Sequence, residues 1–396
     1  MKAVVSLNSG SSSIKFSLFV LDTQGELQFS AGGKIEKIGI APYLKAKSVD
    51  GAILLERNWP EGASLSHADL LADLFSWAAE HPLEGREIIA IGHRVVHGGT
   101  QFAAPRLIEP ELLDALEALC PLAPLHQPHN LAAIHAIAKL RPDLPQVACF
   151  DTAFHHDKPV LASRFAIPRA LHDQGVRRYG FHGLSYEYIA RRLSEIDPEL
   201  ASGRVIAAHL GNGASLCAMK AGQSIDTTMG FTALDGLMMG TRCGSLDPGA
   251  VLHLQTQMGR SAAEVEELLY KQSGLLGVSG ISSDMRTLAA SGAPQAEEAM
   301  ALFAWRAGRE AGALASSLGG LDGIVFTAGI GENDADMRSR IARRLEWLGL
   351  EIDEIANAGD RLLISLPDSR IKAYVIPTDE ERMIALHTLS IVEKAE

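Results

Sequence analysis

Short apolar runs rich in β-branched residues alternate along this chain with longer stretches whose apolar positions recur every three or four residues. The runs predict strands over 3–8, 14–20, 88–91, 146–150, 205–210, 215–219, 323–327 and 373–376. The helical spacing predicts helices over 68–79, 110–118, 128–140, 185–194, 248–257, 262–271, 295–318 and 335–348. Local chemistry marks several starts. Ser261 with Glu264 fits a capping box, Pro128 suits a first helical position, and Asp334 stands where it can cap a helix from Ala335. Alternation of this kind over the whole length indicates an α/β protein.

Three polar turns interrupt this pattern just after strands. In VVSLNSGSSSIKFSLF (4–19), small residues separate two apolar runs; the turn is either a plain hairpin or a set of N–H groups and hydroxyls facing an anion. It lacks the GK[ST] ending and following helix of a Walker A loop. VIAAHLGNGASLCAM (205–219) repeats the strand–turn–strand form, and Gly211 and Gly213 around Asn212 suit either a tight hairpin or a ligand close to the backbone. FTAGIGENDADMR (326–338) reads as strand, glycine-rich turn and helix, with room at Gly329 and Gly331 for a phosphorylated ligand. The echo between the first two predicts two related halves. Five prolines between Pro121 and Pro145 place the end of the first half near residue 150.

The 396 residues exceed what one core usually serves, which agrees with two domains. The 36 basic and 48 acidic residues give a net charge of −12, which argues against a nucleic-acid surface but leaves room for local arginines to bind an anion. The four cysteines, Cys120, Cys149, Cys217 and Cys243, stand singly and fit free thiols in a reducing compartment. No apolar stretch reaches the ~18–20 residues of a membrane span. The opening residues have no signal-peptide layout, so a cytoplasmic location is expected.

Charged and imidazole side chains fall in or beside glycine-rich loops. IGHRVVHGG places Arg94 just past a strand, where a guanidinium can grip a carboxylate or phosphate bidentately. MGTRCGSLDPG holds Arg242, and RRYGFHG holds His182. Singly, each reads more often as a structural salt bridge or a core histidine than as a site, and it is their company in separate glycine-rich loops that favours function. Asp151 closes the strand-like VACFD, a common position for α/β sites. Glu380 and Glu381 in VIPTDEE are either such a site or acids at a helix start. Asp284 with Arg286 fits a salt-bridged turn or a nucleotide pocket. His126 and His129 carry no further ligand nearby, which argues against zinc.

Taken in order, LNSGSSSIKF, GHRVVHGG, PLAPLH, FDTAFH, RRYGFHG, HLGNGAS, MGTRCGSLDPG, SSDMR, FTAGIGEN and VIPTDEE make the chain resemble the acetokinase family, of the acetate and sugar kinase, Hsp70 and actin superfamily. The resemblance implies two actin-like (ribonuclease H-like) domains flanking an active-site cleft, over 1–150 and 151–380, with a helix 381–396 returning to the first. It implies a phosphotransferase with a carboxyl acceptor, moving the γ-phosphoryl group of ATP to acetate to give acetyl phosphate and ADP, with Mg²⁺ (or Mn²⁺) as cofactor and a homodimeric, cytoplasmic enzyme. By motif position, Asn8 and Glu380 would hold the metal and Lys15 would lie near the phosphates. Arg94 would take the acetate carboxylate, with Val96, Leu125, Phe181 and Ala233 around its methyl group. Arg242 and His182 would stabilise the transferring phosphoryl group, and Asp151 would be the acidic catalytic residue. His209, Leu210, Gly211, Asn212 and Gly213, then Asp284, Met285 and Arg286, then Gly329, Ile330, Gly331, Glu332 and Asn333 would bind the nucleotide.

Two chemical arguments refine this reading. A carboxylate acceptor is already ionised at neutral pH, so forming an acyl phosphate needs no base, and Asp151 is expected to orient Arg94 or metal-bound water. Departures from the family pattern bear on the acceptor: MGFTALDG has Ala233 and Asp235 where proline and glutamate are usual, GFHGLSYEY replaces GFHGTSH, and Asp379 stands where asparagine is common. Val96 fits acetate kinases, while a smaller wall at Ala233 points to some turnover of propionate. A short-chain acyl kinase of broader range is therefore the nearest rival, and an Hsp70-like ATPase or nucleotide sensor the rival of a different class.

Overall fold

The computed structural model describes residues 1–10, 13–60, 65–80, 86–124 and 126–395. They form two compact units, one of Met1–Ala153 with Asp379–Glu396 and the other of Phe154–Thr378. Each is built on one sheet.

In the first unit the strands are β1 (Lys2–Ser9), β2 (Ile14–Leu21), β3 (Leu27–Glu36), β4 (Tyr43–Ser48), β5 (Ile53–Asn58), β6 (Glu87–Val95), β7 (Arg106–Leu107) and β8 (Gln146–Phe150), in the order β5-β4-β3-β2-β1-β6-β8-β7. In the second they are β9 (Arg204–Leu210), β10 (Ala214–Lys220), β11 (Gln223–Thr227), β12 (Gly323–Thr327) and β13 (Lys372–Val375), in the order β11-β10-β9-β12-β13. The antiparallel meander β1-β2-β3 continues through parallel β6 and β8. The meander β9-β10-β11 continues in the same way through parallel β12 and β13. The echo in the sequence is thus a repeat of topology.

The predicted strands all form, because the central ones are buried on both faces and read as unbroken apolar runs. Both faces of β1 are covered. Ala3, Val5 and Leu7 pack with Leu70, Leu71 and Leu74 of the helix His67–Glu80, while Val4 packs with Ala385 and Leu389 of the C-terminal helix Glu380–Ala395. Gly92 lets that helix approach, since a Cβ there would collide with Ile384 and Thr388. In the second unit Tyr186, Ile189 and Leu193 of the helix Gly183–Ile196 cover Val205, Ala207, Cys217 and Val325.

Strands β3, β4, β5, β7 and β11 escape a search for apolar runs. The first three are polar and partly exposed, and Gly32-Gly33 in β3 imitates a turn. Gly33 instead permits close strand approach, because a Cβ there would stand 2.5 Å from the Lys45 carbonyl oxygen and 2.6 Å from the Phe16 ring. The other correction concerns Gly329–Asn333. Expected as a turn, they lie in a short helix, Ala328–Asn333, that begins directly off β12 with Ala328 at φ 64°. The predicted helix 335–348 ends at Arg343 and is followed by a single 3-10 turn, Glu346–Leu348. The caps at Ser261 and Asp334 form as expected. Among the described residues no helix is long and apolar enough to cross a membrane.

Buried histidines make acid stability a property of both units. Burial pushes His93 down to about 4 and, with Lys158 nearby, His155 down to about 3. The unfolded chain takes up these protons near pH 6.5, so stability is present above that pH and is lost as pH falls toward 4 and then 3. Each histidine contributes on the order of 3–5 kcal/mol across its window. Urea midpoints should fall steeply between pH 6.5 and 4, and His93→Gln should flatten that slope.

Candidate active site

In the first unit three side chains meet at the carboxyl ends of adjacent parallel strands. Asn8 lies on β1, Arg94 on β6, and Asp151 follows β8 by one residue. The register of β1 with β6 and of β6 with β8 brings them together. Arg94 Nε donates to both Asp151 oxygens at 3.0 Å, Nη2 donates to Asp151 Oδ2, and Nη1 donates to Asn8 Oδ1 at 3.2 Å. A guanidinium has five N–H donors. Among the described residues these bonds leave one hydrogen on each terminal nitrogen for a further acceptor such as a carboxylate or phosphate. Burial works against the Arg94 charge, but Asp151, Glu380 and Glu381 outweigh it and hold the group above its ordinary range.

The start of the C-terminal helix adds acids to this group. Burial, together with Asp151 and Glu381, pushes the Glu380 carboxyl well above the usual range. Burial likewise raises Asp379. Lys15 Nζ pairs with Glu381 at 2.8 Å. Among the described residues no three His, Cys, Asp or Glu side chains are arranged to hold a metal by themselves. Magnesium bound with a nucleotide needs only one or two protein oxygens. Glu380, whose charged form burial disfavours, and Asn8, which like Glu380 acts on Arg94, fit that requirement, since a cation would favour the Glu380 carboxylate.

Polar side chains that the motifs do not flag hold the frame. Asn130 accepts from the Val96 N–H at 3.0 Å and donates to the Ser9 carbonyl at 2.6 Å, tying the strand ends beside Asn8 and Arg94. Gln127 brackets the His97 backbone from both sides. Val96 is buried, and Leu125, like Ser11 and Ser12 of the first turn, lies outside the described residues.

The second unit carries a cavity of about 600 Å³. Gly211, Asn212, Asp284, Met285, Arg286, Gly329, Ile330 and Asn333 line it, together with Ser283 and Asp334, which the motif reading did not assign. Asp284 both caps the helix Met285–Ser291 and pairs with Arg286 at 2.8 Å. The Arg286 bond is the main reason its carboxyl drops to about 2. The two readings of this pair therefore coexist.

Other assigned residues of this unit surround different contacts. Leu210 is core, and Gly331 packs against the Phe326 backbone. Glu332 accepts from the Ala328 and Thr378 N–H groups at 2.7 and 3.1 Å, and so joins loops rather than lining the cavity. His209 stacks on His182 with ring centroids 4.1 Å apart. A Cβ at Gly213 would stand 2.7 Å from Arg242 Nη2 and 3.3 Å from His182 Nε2. The glycine is what lets a guanidinium and an imidazole converge at the β9–β10 turn. Arg242 Nη1 donates to the Ala233 carbonyl at 2.6 Å. Phe181 is buried, and its carbonyl accepts from His155 Nε2 at 3.0 Å.

The family model for the acetokinase family matches residues 3–386. The chain belongs to the acetokinase family. It is a phosphotransferase with a carboxyl group as acceptor, and ATP and ADP are the nucleotides of this family. An acetate kinase of Rhodopseudomonas palustris is 53% identical over 391 residues, covering 98% of each chain. Among solved structures, a propionate kinase from Francisella tularensis aligns with TM-score 0.91 at 38% identity, over 99% of this chain and 100% of the other. Porphyromonas gingivalis acetate kinase aligns with TM-score 0.86 at 40% identity, over 99% and 100%. The two sheets thus have the actin-like fold of these enzymes.

The departures from the acetokinase pattern settle into defined contacts. Asp235 pairs with Arg178 at 3.0 Å and accepts from the Ser245 hydroxyl at 2.8 Å, bracing the loop that carries Ala233. Asp379 accepts from the Arg382 N–H at 2.9 Å, capping the C-terminal helix. Tyr186 is fully buried, with its hydroxyl on Ser215.

Proposed function

We propose that this protein transfers the γ-phosphoryl group of ATP to acetate, reversibly and directly, forming acetyl phosphate and ADP. The observation that carries the reading is the Arg94 fork, oriented by Asp151 and Asn8 with one hydrogen left on each terminal nitrogen. In this reading Arg94 binds the acceptor carboxylate, beside Val96. The lining of the second unit's cavity binds the nucleotide, and Arg242 and His182 donate to the phosphoryl oxygens as charge moves between them. Lys15 adds a positive charge toward the phosphates. Asn8 and Glu380 hold Mg²⁺ or Mn²⁺, directly or through water, and the bound ion supplies charge neutralisation of the phosphates. The enzyme works in the cytoplasm as a homodimer.

Asp151 is a positioning group here. Both of its oxygens are engaged by Arg94, and an ionised acceptor has no proton to give up. Asp151→Asn should therefore lower activity by ~10² or more without moving the acidic limb of the kcat/KM profile. A displaced acidic limb would make Asp151 a proton acceptor instead.

A second reading, a propionate or broader short-chain kinase, draws support from Ala233 in place of proline and from the likeness to the Francisella enzyme. One methylene in an apolar pocket discriminates by ~10–200-fold. Trapping acyl phosphate as hydroxamate, with acetate, propionate and butyrate in turn, tests both readings. The expected order of kcat/KM is acetate, then propionate with appreciable turnover, then butyrate. ATP hydrolysis indifferent to every carboxylate would indicate a nucleotide sensor.

A further inference from the structure

We infer that Tyr186 and Ser215 are positioning residues that hold His182 as the neutral imidazole protonated on Nε2. The inference rests on the reading of His182 as a phosphoryl-oxygen donor. Ser215 Oγ lies 2.8 Å from His182 Nδ1 and 2.5 Å from the Tyr186 hydroxyl, and both Ser215 and Tyr186 are fully buried. Ser215 joins these two groups in series.

The number of protons decides the direction of this series. A serine hydroxyl has one hydrogen to give and two lone pairs to receive. A tyrosine hydroxyl is far more acidic than a serine hydroxyl, so in a short contact between them the phenol donates. The Ser215 hydrogen is then directed at its other partner among the described residues, His182 Nδ1. That nitrogen must accept, which leaves the imidazole proton on Nε2. If Nδ1 carried a proton, Ser215 would receive from both sides and its own hydrogen would be buried without an acceptor, a costly arrangement.

Nε2 is the nitrogen that faces the site. It lies on the side of Gly213, toward which Arg242 Nη2 also points. A proton on Nε2 gives a second donor beside the guanidinium, as stabilising a phosphoryl oxygen requires. Two further side chains border His182. Arg242 faces it across Gly213, and His209 stacks on it, with its own Nδ1 on the Ser185 hydroxyl at 2.8 Å. His182 itself caps the helix Gly183–Ile196 at φ 59°, a left-handed conformation that persists in a non-glycine residue only where the surroundings hold it.

Histidine-selective nitrogen-15 labelling of the full chain reads the tautomer directly, with His182→Asn identifying the signal. The wild-type protein near neutral pH should show His182 with an unprotonated, hydrogen-bonded Nδ1 and a protonated Nε2. Tyr186→Phe keeps the ring and removes the donor. It should shift the His182 signals toward a mixture of tautomers and lower kcat about tenfold, with both KM values within about twofold. Ser215→Ala should have the same effect, and the double variant should be no worse than Ser215→Ala alone. A wild-type His182 protonated on Nδ1, unchanged His182 signals in Tyr186→Phe, or independent additive losses would each overturn the relay. The wild-type spectrum decides even if a variant fails to fold. The spectrum also stands apart from the functional reading, because it needs no substrate: the tautomer can hold while the hydroxamate assay fails, and the reverse.

Discussion

Arg242→Ala is expected to lower kcat for acyl phosphate formation by ~10²–10³ while moving the KM for acetate less than about threefold. The transferring phosphoryl group spreads its negative charge over its equatorial oxygens, and donors fixed in advance act most strongly on charge that develops during the step. Arg242 is fixed in this way. Its Nη1 is held by the Ala233 carbonyl, and its Nη2 lies against Gly213, where any Cβ would collide with it. The loop itself is anchored by backbone bonds, Gly240 N–H to the Asn212 carbonyl at 3.2 Å and Ser273 N–H to the Thr241 carbonyl at 3.0 Å. Removing the guanidinium therefore leaves the loop in place, and thermal unfolding should change little. Steady-state kinetics with acetate and ATP varied in turn gives the split. A rise in KM equal to the fall in kcat would place Arg242 in ground-state binding.

Arg94→Ala should instead raise the KM for acetate by ~10², with a smaller effect on kcat, because the two free hydrogens of the fork make charge-assisted bonds to the acceptor before the reaction begins. A second consequence follows from its partner. Asp151 is fully buried, and its carboxylate loses its cation in this variant. Breaking a buried pair from one side costs about 3–5 kcal/mol, so the alanine variant should also unfold at clearly lower urea. Arg94→Lys separates the two effects. An ammonium restores charge near Asp151 but cannot reproduce the fork, so stability should recover while the KM stays high. Kinetics interchangeable with those of Arg242→Ala would refute the division of labour between the two arginines.

Both arginines were legible in the sequence as candidates, because each stands in a glycine-rich stretch beside a strand. Asp151, 57 residues from Arg94, was expected as its orienting partner through the family resemblance and the ionised acceptor, whereas Asn130, which reaches Ser9 across 121 residues, was not. Glu332 shows the opposite case. Its motif points to the nucleotide, yet its carboxylate accepts backbone N–H groups from its own short helix and from Thr378. Ser215 closes the motif HLGNGAS, yet nothing in its residue type or spacing marked it as the link between Tyr186 and His182.

By itself the sequence determined the α/β class, the central strands, most long helices, the two hairpin turns and the helix caps at Ser261 and Asp334. These depend on side-chain periodicity and on turn and cap chemistry within a few residues, which local physics decides. Only the tertiary structure decided that the two sheets share a five-strand order, that β4, β5 and β7 extend the first, and that β1, β6 and β8 deliver Asn8, Arg94 and Asp151 to one place. It also decided which groups engage the Arg94 guanidinium and which nitrogen of His182 faces Gly213. Those outcomes depend on which distant strands pair and in what register, and a local pattern carries no record of either.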